Sequence, residues 1–409
     1  MSYLEGVEGV EGVEGVEGVE GVEGVEGVEG VGGFRRFPSG ALITHRDGIV
    51  GPWGGWAGGP AWNLPARVVG SPAHLALWDA RIRRFVFESE LLSSLCFGVD
   101  APPAGGGVQW AALWSLATTI PATGQSPPQW TLVNARPAAA AGAIVPAGEW
   151  THLIRMAGPT SAVLQGQPGQ LGQLDLVANY ADLRADRARE VVAQMSPQYA
   201  FWSSVVPLFP ARHRMTLEVV RLVLQLAKYA EMNFKHAFGV LRPHELSPQI
   251  QPMIQTPVHA SFPSGHSTEA HAVAVVLGSL VNSAGAAAAA VQRLTEQLMR
   301  QAARIAINRT VAGVHYPVDS MVGQLLGLAI GNYFIERATG ATGIVDGWTF
   351  DGTAFPATGD FTGQELFNLA AGTMVNVNQL PNYVTQDPPL PVAMAPMLNW
   401  LWGEAVQEW

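Results

Sequence analysis

Hydrophobic positions recur every three to four residues over 174–206, 214–239, 265–283, 286–308 and 315–338. That period belongs to helices with one buried face. An earlier helical pattern runs over about 72–97, where Leu75, Trp78, Ile82, Phe85 and Leu92 fall at the same spacing. Residues 101–149 are rich in Pro, Gly and Ala and predict turns with a short helix at 108–118. Residues 34–70, including Pro52-Trp53-Gly54-Gly55-Trp56, predict irregular structure laid over the core. After Gly340 the chain turns again, with a short helix near 363–371. Strand-like alternation is scarce, so the pattern predicts an all-α protein, a helical bundle with long irregular connections.

The first 33 residues stand apart. Residues 5–31 are nine consecutive copies of Glu-Gly-Val. A period of three matches neither a helix face nor a strand face, and glycine in every triplet costs about 1 kcal/mol each in a helix. Two readings remain open: a disordered acidic tail, or an assembly device in which repeats from several chains stack. The expected organisation is therefore a repeat tail at 1–33 and a helical domain at 34–409.

Charge narrows the function. The 409 residues carry 33 acids and 23 Lys plus Arg, and nine of the acids lie in the repeat, leaving 24 against 23 in the body. A near-neutral body argues against nucleic-acid binding, which needs a dense basic face. The one cysteine, Cys96, excludes an internal disulfide and disfavours a thiolate metal cluster. The best candidates for membrane spans are 271–291, which reads as a close-packed core helix, and 320–335, which is shorter than the roughly 20 residues a bilayer needs. Arg184, Asp186, Arg187, Arg189 and Glu190 exclude a lipid-facing span upstream. No signal peptide is recognisable, so the expectation is a soluble protein, cytoplasmic by default.

Chemistry gathers in three segments: Lys235-x6-Arg242-Pro243, Pro263-Ser264-Gly265-His266, and Arg309-x5-His315-x3-Asp319. Lys235 and Arg242 are two helical turns apart and are expected on one helix face, with Pro243 ending that helix. Ser264 reads as the cap of the helix that follows, and Gly265 lets an anion approach free backbone amides at its positive end. His315 and Asp319 sit four apart, so a carboxylate reaches one ring nitrogen and leaves the other unprotonated. Each fragment alone is commonplace. Together they make a site for a tetrahedral or trigonal-bipyramidal oxyanion, phosphate or vanadate.

These residues resemble the signature of the type 2 phosphatidic acid phosphatase and vanadium haloperoxidase superfamily over about residues 228–325. The resemblance implies an all-helical fold in which His315 attacks phosphorus or coordinates vanadium. Lys235, Arg242, Arg309, the Ser264 hydroxyl and the Gly265 amide would bind equatorial oxygens. His266 would be the acid/base residue, and Asp319 would orient His315. One position departs from the pattern: Asn308 stands where the family usually has serine.

Both chemistries of the superfamily use that cradle. A phosphatase forms a phosphohistidine on His315; a haloperoxidase holds vanadate there, uses hydrogen peroxide to oxidise halide, and polarises the peroxide through Lys235. The long helical region before the site and the lack of spans favour a soluble haloperoxidase acting on bromide or iodide, with His259 as the halide-side candidate. Met232, where chloride-oxidising members often carry an aromatic residue, weakens a claim for chloride. The 21 residues from Arg242 to Pro263 are closer to phosphatases, so an acid phosphatase acting on a phosphate ester is the alternative. A structural protein with a vestigial site is the third reading. A homo-oligomer is expected by analogy with the superfamily.

Overall fold

The structure is a computed structural model that describes residues 72–92, 95–99, 110–115, 152–196 and 198–409. The Glu-Gly-Val tail and the irregular segment at 34–70 lie outside the described residues. The chain divides into two compact units, Met1–Val86 and Phe87–Trp409. In the first, a 3-10 turn at Pro72–Leu77 precedes the start of helix α1 (Ala80–Leu92), and Arg83 donates to Leu75 O at 3.1 Å. The site lies wholly in the second unit.

Its helices, besides the end of α1, are α2 (Ser161–Gln165), α3 (Gln173–Asn179), α4 (Arg184–Ala193), α5 (Tyr199–Ser203), α6 (Arg214–Phe238), α7 (Pro243–Leu246), α8 (Gly265–Ser283), α9 (Ala288–Val311), α10 (Pro317–Thr339) and α11 (Pro396–Val406). Four long helices follow the periodic segments closely. The pattern at 174–206 resolves instead into α3, a 3-10 turn, α4 and α5.

The all-α expectation needs correction. A five-stranded sheet has the order β1-β2-β3-β4-β7, from β1 (Leu95–Val99), β2 (Trp110–Ser115), β3 (His152–Ala157), β4 (Ile344–Asp351) and β7 (Val384–Pro391). Only the β3–β4 pair is parallel. Within 108–118, where a helix is expected, the described residues Trp110–Ser115 form strand β2, and the end of the 72–97 pattern falls in β1. The helix expected near 363–371 is instead the hairpin of β5 (Phe367–Asn368) and β6 (Thr373–Met374). Short apolar runs such as Trp110–Ser115 have no period that separates strand from helix. β7 hides because Pro388 and Pro389 interrupt it, and proline is tolerated there because β7 is a sheet edge.

The core is built on α8 and α10. Helix α10 is buried on almost every side, from Pro317 to Ala338, as expected of a helix apolar all round. Gly323, Gly327 and Gly331 recur every four residues and face α8. A Cβ on Gly323 would lie 2.8 Å from Ser264 O, one on Gly327 would run into Thr268 O, and one on Gly331 would lie 3.2 Å from Ala272 O. The missing side chains bring the two backbones together. Ser264 N donates to Asp319 O at 3.0 Å and Ser267 Oγ to Ser320 O at 2.7 Å, fixing both helix starts side by side. Among the described residues, no helix is long and apolar enough to cross a membrane.

Helix α6 is capped from far away in sequence. Its preceding residue His213 gives no side-chain cap; Glu408 instead accepts from Met215 N at 2.7 Å and Thr216 N at 2.8 Å. Trp409 donates to Thr216 Oγ1 at 3.0 Å and stacks on His213 with ring centroids 4.5 Å apart. Glu408→Ala leaves those amides uncapped and removes a carboxylate from the positive helix end. The expected loss is about 1–2 kcal/mol, read as a lower urea midpoint at unchanged slope.

Candidate active site

Asp319 organises the centre. Pro317 opens α10, and Asp319, in its first turn, reaches back to cap it: Tyr316 N donates to Oδ2 at 3.0 Å. The same oxygen takes His315 Nδ1 at 2.9 Å and a short hydrogen bond from Ser261 Oγ. His315 therefore stands just before the helix, and the pair meets through the cap rather than along a helix face as the spacing suggested. With Nδ1 held by Asp319, Nε2 is the unprotonated nitrogen and accepts from Arg242 Nη1 at 3.4 Å. Burial, then the charges of Arg242, Lys235, His266 and Arg309, hold His315 well below the usual histidine pKa. Burial pushes Asp319 up to about 6 against the opposing pull of Ser261, Tyr316 N and the cations. At neutral pH the pair is a neutral imidazole on a carboxylate.

Lys235 and Arg242 bracket the loop before α8. Lys235 Nζ donates to Ala260 O at 3.3 Å, Ser261 O at 3.1 Å and Pro263 O at 2.5 Å. Arg242 donates from Nε to His259 O at 2.9 Å and from Nη1 to Val314 O at 2.8 Å. The two are not on one helix. Gly239, in the left-handed conformation at φ 58, ends α6 with its N–H on Lys235 O, and Arg242 lies in the extended residue before α7. They still converge, because both reach Ala260 O. Lys235 and Arg242 are 2% and 1% exposed, so their charges act where water screens little.

Ser264 caps α8 as expected, its hydroxyl accepting from Ser267 N at 3.5 Å. Gly265 has a second reason to be glycine, since a Cβ there would lie 2.5 Å from Glu231 Oε2. Glu231, one turn before Lys235, is buried and its Oε2 has no hydrogen-bond partner among the described residues. Burial raises the Glu231 pKa against the opposing charges of Lys235, Lys228 and Arg242.

Arg309 and His266 meet at the end of α4. Arg309 Nη2 donates to Val191 O and to Gln194 Oε1, both at 3.1 Å. Its Nε is buried with no partner among the described residues. Asn308, the departure from the family pattern, donates to the same Gln194 Oε1 at 3.0 Å and accepts from Arg187 Nη1 at 3.2 Å. His266 Nε2 is 2.7 Å from Gln194 O, which fixes it as the protonated nitrogen. Burial and the Arg309 charge push the His266 pKa down to about 3.

His259 is half-buried against Arg242, its Nδ1 3.1 Å from Nη2, and burial with the Lys235 charge pushes its pKa down to about 4. Met232 lines a separate cavity of about 360 Å³ with Leu222, Leu226 and Tyr229, and none of the anion-site residues lines it. Sequence reasoning missed Ser261, Gln194 and Glu231. Glu231 carried a signal, one helical turn before Lys235. Ser261 sat inside the motif segment, and Gln194 had no local signal.

Residues 219–339 match the family model of the PAP2 superfamily. A solved structure described as the first transmembrane PAP2-type phosphatidylglycerolphosphate phosphatase from Bacillus subtilis is 21% identical. It covers 43% of this chain and 82% of its own at a TM-score of 0.26, which bears on neither overall fold nor substrate. No curated protein matches the chain.

Proposed function

We propose that the chain hydrolyses a phosphate monoester through a phosphohistidine on His315. The observation that carries this is the His315 imidazole, buried and neutral, fixed through Nδ1 by Asp319 with Nε2 turned toward Arg242. Lys235, Arg242 and Arg309 surround it with buried positive charge, and the α8 amides add a positive helix end. The match of residues 219–339 to the PAP2 superfamily model supports phosphatase-type chemistry, the alternative of the sequence reading.

In this mechanism the Nε2 lone pair forms a bond to phosphorus as the ester P–O bond breaks. The departing oxygen takes a proton from His266, which that residue acquires as the anion binds and raises its pKa. Water then attacks phosphorus, the N–P bond breaks, and His266 takes the water's proton. Asp319 keeps the tautomer correct throughout.

His259 beside Arg242 keeps haloperoxidase as the second reading. Orthovanadate suits the same groups: the unprotonated His315 Nε2, the Arg309 Nε that has no partner among the described residues, Lys235, Arg242, Ser264 and the Gly265 amide. Bound there, it would supply Lewis acidity toward hydrogen peroxide.

The test is direct. Purified full-length protein should hydrolyse p-nitrophenyl phosphate, lose that activity with orthovanadate, and leave a bromide-trapping dye unchanged when vanadate and peroxide are supplied. Bromide oxidation without ester hydrolysis would reverse the two readings.

A further inference from the structure

Gln194 touches more of the candidate site than any motif residue predicts. It closes α4, so its carbonyl is one of those left free at a helix end, and His266 uses it. Its side-chain oxygen accepts from both Asn308 and Arg309. Its side-chain nitrogen donates to Glu190 Oε1 at 3.3 Å. Gln194 itself is fully buried.

The charge balance gives this arrangement its meaning. Both hydrogen-bond acceptors of Arg309, Val191 O and Gln194 Oε1, are neutral. The acid whose charge reaches it, Glu190, is paired with Arg304 at 2.8 Å. A carboxylate at position 194 would hold the guanidinium equally well but would cancel its charge.

We propose that Gln194 is a positioning residue that fixes Arg309 and His266 against each other using neutral acceptors only, so that the guanidinium meets phosphoryl oxygens with its charge unspent. Asn308 belongs to the same device, since its amide shares the Gln194 oxygen. The inference rests on the phosphatase reading for its catalytic arm and on anion binding alone for the rest.

Two near-isosteric variants compare added charge with lost scaffolding. Gln194→Glu keeps the acceptor for Asn308 and Arg309, adds a negative charge and gives up the bond to Glu190; Gln194→Met gives up that bond and every other side-chain hydrogen bond and adds no charge. Calorimetric titration with inorganic phosphate, repeated with orthovanadate, is the first readout, and kcat and KM for p-nitrophenyl phosphate the second. Gln194→Glu is expected to bind both anions about 10- to 100-fold more weakly, the scale of one added charge in a poorly screened site. Gln194→Met is expected to stay within about tenfold of wild type in anion affinity, losing mainly kcat as Arg309 loosens while His266 keeps its bond to the main-chain carbonyl. A merely structural residue gives the reverse order, with Gln194→Met the weaker binder and Gln194→Glu close to wild type, and that result overturns the proposal. If one variant does not fold, the affinity of the other against wild type still decides. Wild-type protein that binds phosphate but hydrolyses no ester removes the phosphatase reading and leaves the Gln194 prediction to the binding series. Wild-type protein that binds neither anion removes both.

Discussion

His315→Ala is expected to lower kcat/KM for p-nitrophenyl phosphate by about four orders of magnitude or more, the scale seen when a covalent nucleophile is removed. The fold should survive, because Asp319 keeps its cap on Tyr316 N and its bond from Ser261 Oγ without the imidazole. A circular dichroism melt run beside the assay separates lost chemistry from lost structure. Near-normal turnover in a well-folded His315→Ala protein would place the chemistry elsewhere.

The second large effect concerns the α8–α10 contact that holds the helix starts together. Gly327→Val puts a branched side chain where even a Cβ meets the Thr268 carbonyl, with His271 Cβ 3.0 Å away. Both opposing groups belong to α8, and one is backbone, so the strain is relieved only by moving the helices apart. The expected cost is about 3 kcal/mol or more, equivalent to a fall in Tm on the order of 10 °C. Gly403→Ala on α11 is the control: a Cβ there has nothing within 4 Å, so better helix propensity should stabilise the protein by up to about 1 kcal/mol. Similar small effects from the two substitutions would mean that the close approach at Gly327 is not needed for stability.

The long helices were legible because periodicity is strong over two dozen residues. Helix α8 spans the residues its pattern predicts, and α6 and α10 agree within a residue or two. The sheet was not legible. Its strands are five to eight residues long and come from segments far apart in sequence, so their pairing is a tertiary event that no local pattern records. The fold brings side chains of the three motif segments near one another, but two of the local geometries inferred from spacing differ. Arg242 lies beyond the end of α6 because Gly239 stops that helix first, and His315 precedes α10 because Pro317 opens it. Their chemistry tolerates this, since the loop carbonyls and the helix cap deliver the same side chains by another path. Gln194 shows the limit: its role arises from where the end of α4 lands against α9, which the sequence around residue 194 does not encode.

The central claim is that phosphorus becomes bonded to the imidazole held by Asp319. The most direct measurement mixes the protein with radiolabelled phenyl phosphate, quenches in alkali within milliseconds, and maps the label by peptide mass spectrometry. The account predicts an acid-labile, alkali-stable label on the peptide carrying His315, absent from His315→Ala. Label on another residue, or rapid hydrolysis with no trapped phosphohistidine in wild-type protein, would contradict it.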